Sequence, residues 1–122
     1  MSSDPIPAEV ERWTKELRKG STKLALLTLL GENESYGYEI LTNLKTRAGE
    51  QAAGATEATV YPLLHDLEER GFLRSRWRAN EPGVPPRKYY ALTREGQLLL
   101  EALRESWSKY RSDMDRWVGG GR

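Results

Sequence analysis

Apolar positions recur at helical spacing over the first part of the chain, switch to strict alternation near its middle, and return to helical spacing at the end. From Ala8 to about Gly31, Val10, Trp13, Leu17, Leu24 and Leu27 fall on one helical stripe. The second half of this helix, KLALLTLL, is apolar nearly all round, which predicts the central buried helix of a domain. Gly20-Ser21 predicts a bend within it, and Gly31 with the polar ENE tract ends it. Ser35 is placed to cap a second helix from Tyr36 to about Arg47, its hydroxyl accepting a first-turn N–H, with Ile40, Leu41 and Leu44 buried. AGEQAAGA reads as a flexible connector. A third helix follows, with Thr56 as N-cap, Glu57 at its positive end and Val60, Leu63, Leu64 and Leu67 as its buried stripe. Pro62 lacks an N–H, so it predicts either an irregular first turn or a later start.

Gly71 ends that helix, and FLRSRWRA alternates: Leu73, Ser75 and Trp77 on one side, Arg74, Arg76 and Arg78 on the other. NEPGVPP, with its three prolines, cannot pair as strand and forms the tip of a hairpin. RKYYAL returns as the partner strand, and Thr93 caps a final helix from Arg94 to about Val118. In that helix Leu100, Leu103, Trp107, Tyr110, Met114 and Trp117 are spaced 3, 4, 3, 4 and 3 apart, a heptad seam. The seam can pack on its own domain or on a second copy. A helix of this length, roughly 36 Å, exceeds what so small a core needs, and large aromatics suit a partner surface. Dimerisation is therefore expected through Leu100, Leu103, Trp107, Tyr110, Met114 and Trp117, joined by Val10, Trp13 and Leu17 of the first helix.

The resulting layout is mainly α with a small β-hairpin: a winged helix-turn-helix domain plus a long C-terminal dimerisation helix. The expected divisions are a flexible N-terminus at 1–7, a winged-helix domain at 8–93, the dimerisation helix at 94–118 and a disordered tail at 119–122. In such a unit one helix enters a DNA major groove while the hairpin, or wing, lies against the neighbouring backbone.

Bulk properties narrow the chemistry. The 122-residue chain has no cysteine and a single histidine, which removes disulfides, thiolate metal sites and thiol catalysis and leaves no His cluster for a metal. It lacks an apolar run of about 18 residues and a basic-then-apolar leader, so a soluble cytoplasmic protein is expected. Net charge is only +1, but it is unevenly spread. Residues 72–96 hold six cations against two acids, a net of +4, and residues 32–71 hold three against eight, a net of −5. Cations thus gather on the hairpin, where phosphate contacts would be made; solubility alone would also explain them. GxSxG, HExxH, GxGxxG and P-loop motifs are absent, and the neighbouring Glu68 and Glu69 splay around a helix, so no enzyme and no cofactor is expected.

Four segments, in order and at matching spacings, resemble the PadR family of transcriptional regulators: SYGYEI, ATEATVYPLLHDLEERGFL, RKYYALTREG and the Trp-containing last helix. The resemblance runs from about Ser21 to Trp117. It implies a winged-helix DNA-binding domain with a C-terminal dimerisation helix, acting usually as a repressor on a pseudo-palindromic operator, with release by small aromatic ligands in several members. Carried over by position, Tyr36 and Gly37 approach phosphate, Thr56, Thr59 and Tyr61 face the groove from the recognition helix, and Arg87 and Lys88 clamp the wing to the backbone. The chain departs from the family pattern at Asp66, where many relatives are basic, and at the wing tip, PGVPP.

Other readings stand beside these. Tyr61 is about 100° off the buried stripe, which favours a DNA contact over a core role. Thr59 serves the cap or the DNA. His65 is a surface residue or a DNA contact, and Arg76 is a further wing cation within reach of phosphate. Trp107, with Trp13 and Tyr110, either fills a dimer core or sandwiches a planar aromatic effector. The competing function is a winged helix that binds a protein partner through its acidic third helix.

Overall fold

The computed structural model describes residues 4–48 and 55–119. The elements run α1 (Pro5–Glu32), β1 (Ser35–Tyr36), α2 (Gly37–Ala48), α3 (Glu57–Glu69), β2 (Leu73–Arg78), β3 (Arg87–Leu92) and α4 (Arg94–Val118). Among the described residues, four helices and a small antiparallel sheet confirm the mainly α, winged-helix class. Most of the connector expected over AGEQAAGA lies outside the described residues.

α1 is longer than its apolar stripe. Asp4 caps it by accepting the N–H of Ile6 at 3.0 Å, and Pro5 occupies the first position, where its missing N–H costs nothing. The expected flexible lead-in thus becomes helix from Pro5 onward. The helix continues without a break through Gly20-Ser21, where an interruption was expected. The hydroxyls of Ser21 and Thr22 donate to the Arg18 carbonyl about one turn back, at 3.1 and 2.9 Å, sharing an acceptor of the helical ladder.

Ser35 corrects a second expectation. It does not cap α2 but pairs as a strand with Tyr90 and is buried. Its neighbour Tyr36 pairs with Tyr89, giving the order β1-β3-β2. The open edge of β3 takes up the backbone groups of Ser35 and Tyr36, so they pair as strand. α2 then starts at Gly37.

Pro62 corrects a third. It lies inside α3, which begins at Glu57. The first turn is regular because Thr56 and Thr59 close it: the Thr59 hydroxyl accepts the Thr56 N–H at 3.1 Å, and the two hydroxyls stand 3.2 Å apart. Gly71 follows the helix at φ +87°, the left-handed conformation that lets the chain reverse into β2.

The hairpin register, Leu73↔Leu92 through Trp77↔Lys88 to Arg78↔Arg87, puts Leu73, Ser75, Trp77, Lys88, Tyr90 and Leu92 on one face, as the alternation predicts. The core gathers Leu26, Leu27 and Leu30 from α1, Ile40 and Leu44 from α2, Val60, Leu64 and Leu67 from α3, and Leu73 and Tyr90 from the sheet. Leu100 of α4 joins them at 1% exposure, with Leu103 packed against the cluster. Leu100 is therefore spent inside its own protomer and is not available to a dimer seam, a correction to the heptad reading. Thr93 caps α4 by accepting the Gly96 N–H at 3.0 Å, and its own hydroxyl donates to Gly71, tying the end of β3 to the α3–β2 turn.

Candidate nucleic-acid interface

Where β1 turns into α2, the unpaired remainder of β3 borders an open groove of about 550 Å³. The residues lining it come from five elements: Tyr36 on β1, Gly37 and Tyr38 at the start of α2, Tyr61 on α3, Trp77 on β2, and Arg87, Lys88 and Tyr90 on β3. Five of these, Tyr36, Gly37, Tyr61, Arg87 and Lys88, are residues that the sequence proposed for DNA contact.

Local packing fixes each one. Gly37 is buried under the Tyr61 ring; a Cβ there would stand 2.3 Å from Tyr61 Cε1. The absence of a side chain at Gly37 lets the Tyr61 ring lie against the head of α2, at the groove wall and still exposed. Tyr36 meets Tyr89 edge-on at 5.3 Å between ring centroids, and the Arg87 guanidinium lies 4.6 Å above the Tyr36 ring. That stacking holds Arg87 at the groove without neutralising it, because a ring face withdraws no charge from the guanidinium.

Lys88 is tied more firmly to the fold. Its ammonium is 3.4 Å from the Glu68 carboxylate and 5.4 Å from the Tyr90 ring centroid. Partial burial opposes its charge, but Tyr90 and Glu68 outweigh this and raise its pKa. The hydroxyl of Ser75 also donates to Glu68, and this bond, ahead of Lys88, holds the carboxyl below its ordinary value. Glu68 thus bolts α3 to both strands of the wing.

Arg76 turns away from the groove. Its guanidinium pairs with Glu34 at 2.5 Å, and Arg78 reaches the same carboxylate at 2.8 Å while lying 4.2 Å over the Tyr89 ring. The hydrogen bond from Arg76 is the main cause of the lowered Glu34 pKa. Thr56 and Thr59 are engaged in the α3 cap. His65 is exposed one turn beyond Tyr61, with Nε2 3.7 Å from Glu69. Asp66, the departure from the family pattern, is paired with Arg70 at 3.0 Å. The acidity of α3 is in part absorbed by these internal pairs.

Two groove residues were missed by the sequence reading. Trp77 shares a face of its strand with Leu73, as the alternation predicts, but it is 70% exposed because it lies near the strand end, past the core. Tyr38 is 65% exposed. Its position two residues before Ile40, about 200° around the helix, was a readable signal.

Away from the groove, Val10, Trp13 and Leu17 on α1 and Trp107, Tyr110 and Trp117 on α4 are all exposed, whereas Met114 is half-buried. Trp107 and Tyr110 stand 6.1 Å apart and, with Leu17, Leu24 and Leu103, line an open cavity of about 570 Å³ between α1 and α4. Trp13 lies one turn from Leu17, outside that lining. Among the described residues no helix is long and apolar enough to cross a membrane, and no group of acids and histidine is arranged to hold a metal.

Comparison with known proteins agrees with this geometry. Residues 26–102 match the model of the transcriptional regulator PadR-like family. A PadR-family transcriptional regulator from Eggerthella lenta superposes with a TM-score of 0.79 at 27% identity, covering 99% of this chain and 100% of that one. A PadR-like regulator from Bacillus cereus gives 0.73 at 28% identity, covering 86% and 98%. A protein from Streptococcus mutans gives 0.68 at 33% identity, covering 82% and 88%. An uncharacterised protein from Lysinibacillus sphaericus is 27% identical over 105 residues, 86% of this chain and 94% of its own. With the family match spanning most of the chain and the wing, helices and sheet in their expected places, the protein belongs to the PadR-like family of transcriptional regulators.

Proposed function

We propose that the protein is a cytoplasmic homodimeric repressor that binds a pseudo-palindromic operator in duplex DNA. The observation that carries this reading is the convergence of Tyr36, Tyr61, Arg87 and Lys88 on one groove beside α3. In this reading α3 enters the major groove with Tyr61 leading, and His65, one turn further along, reaches the same strand. Arg87 supplies the phosphate contact of the wing. Lys88 adds its charge from the groove wall while holding the wing to Glu68. Arg76 acts from the outer face of the wing, where phosphate would have to compete with Glu34. Thr56 and Thr59 set the start of the helix, and the Gly37 backbone leaves room for a phosphate at the head of α2.

Pairing is carried by the exposed apolar faces of α1 and α4. Val10, Trp13, Leu17, Trp107, Tyr110 and Trp117 leave much of their surface in water in the single protomer, with Leu103 and Met114 beneath them. A second copy related by a two-fold axis covers both faces and sets two recognition helices about one DNA turn apart. The cavity beside Trp107 and Tyr110 suits a planar aromatic effector, whose binding would favour a subunit angle mismatched to the operator. Titration of the protein's tryptophan fluorescence with planar dyes tests that step; absence of any saturable change removes it.

Selection of bound duplexes from a random pool tests the main reading. Recovery of a site with two-fold symmetry supports it. Failure to recover any site points instead to a winged helix that docks a protein through α3.

A further inference from the structure

Trp77 and Tyr38 are the two most exposed aromatic side chains of the groove, at 70% and 65%. Neither is needed by the core, and neither belongs to the apolar faces of α1 and α4. They stand on different elements, the wing and the head of α2, and share the groove with Arg87 and Lys88. Register fixes the arrangement: Trp77 is directly opposite Lys88, so the indole and the ammonium leave the same face of the wing side by side. An indole left in water beside the Lys88 ammonium is poorly placed for a monomeric protein. It is well placed against a ligand that is anionic at one edge and apolar at the next. The sugar–phosphate backbone of DNA has that composition, with phosphate and deoxyribose alternating along the strand.

We propose that Trp77 and Tyr38 form an aromatic clamp on one strand of duplex DNA, the Trp77 indole packing on a deoxyribose and the Tyr38 hydroxyl donating to the adjacent phosphate. This rests on the operator-binding reading and names two contacts within it. Arg87, held over Tyr36, neutralises phosphate, whereas Trp77 contributes by removing apolar surface from water. The two contributions differ in how they respond to salt. Charge neutralisation releases counterions and steepens the salt dependence, but burial of an indole releases none. The clamp reads sugar and phosphate, so it strengthens binding to any duplex sequence and leaves discrimination to α3.

The test is equilibrium anisotropy over a series of salt concentrations. The probes are a fluorescein-labelled duplex recovered by selection and a scrambled duplex of the same length. Trp77→Ala is expected to weaken both duplexes by about ten-fold, with the slope of log affinity against log salt unchanged. Arg87→Ala, in contrast, lowers that slope by about one per protomer. Tyr38→Phe weakens both duplexes more modestly. Trp77→Ala should melt with the wild type, since the side chain is exposed. Trp77→Phe supplies a second readout that does not depend on truncation. The wild-type minus Trp77→Phe difference in acrylamide quenching reports one accessible indole that becomes protected when duplex is saturating. Affinity of Trp77→Ala equal to wild type, an indole still quenched in the complex, or a slope that falls as it does for Arg87→Ala overturns the clamp while leaving operator binding intact. A wild-type protein that binds no duplex overturns both.

Discussion

A methyl group on Gly37 would stand 2.3 Å from Cε1 of Tyr61, closer than packed side chains tolerate, so Gly37→Ala must displace the ring or part α2 from α3. Because the ring is an exposed side-chain end that can swing away, the stability cost is at the low end of overpacking, about 1 kcal/mol or less. Chemical denaturation is expected to show at most a loss of that size, while DNA binding weakens because Tyr61 leaves the groove wall. Glu68 governs the wing in a different way, through charge. Its carboxyl is held below the ordinary value of 4.5, mainly by Ser75 and then by Lys88. A depressed folded-state pKa contributes stability that is complete above the unfolded value and disappears as pH falls through the folded one. The destabilisation produced by Glu68→Gln should therefore be full near neutrality and shrink below about pH 4.5. Melting curves of both proteins across that range check it; a gap that widens on acidification contradicts the role assigned to Glu68.

At the scale of elements, α4 changes character along its length. Leu100 is 1% exposed in the core and Trp117 is 82% exposed. Leu100→Ala should cost about 2–5 kcal/mol as a buried truncation. Trp117→Ala should leave the protomer fold alone and weaken self-association, read as a lower sedimenting mass at the same concentration. Elements whose pattern is local were legible beforehand. The stripe Val60, Leu63, Leu64, Leu67 marked α3, and the alternation of FLRSRWRA marked β2 with its faces assigned correctly. What failed was set by non-local partners. Ser35 reads as a cap until Tyr90 offers it a strand, and a two-residue strand has too little sequence to show a period. Leu100 fits a heptad by spacing, but whether a seam residue meets its own core or another chain depends on where α4 crosses α1. The start of α1 was legible in principle, because Asp4-Pro5 is a cap followed by a first-turn proline. The wing cations illustrate the same divide. Sequence located them, but only the fold separates Arg87, stacked on a ring, from Arg76, paired to a glutamate 42 residues away.

For the molecule as a whole, the groove and the apolar faces belong to different parts of the structure, as a two-fold DNA-binding assembly requires. The groove is formed by α2, α3 and the wing, and the exposed Trp13, Trp107 and Trp117 lie on α1 and α4. A net charge of +1 means that non-specific attraction to DNA is weak, so affinity must come from the groove and not from a diffuse positive field. The salt dependence of binding to the selected duplex, measured together with the spacing of its half-sites, tests this account most directly. The account predicts two half-sites about one helical turn apart, binding that falls with salt, and loss of most affinity when about half a turn is inserted between them. Binding indifferent to both salt and spacing would contradict it.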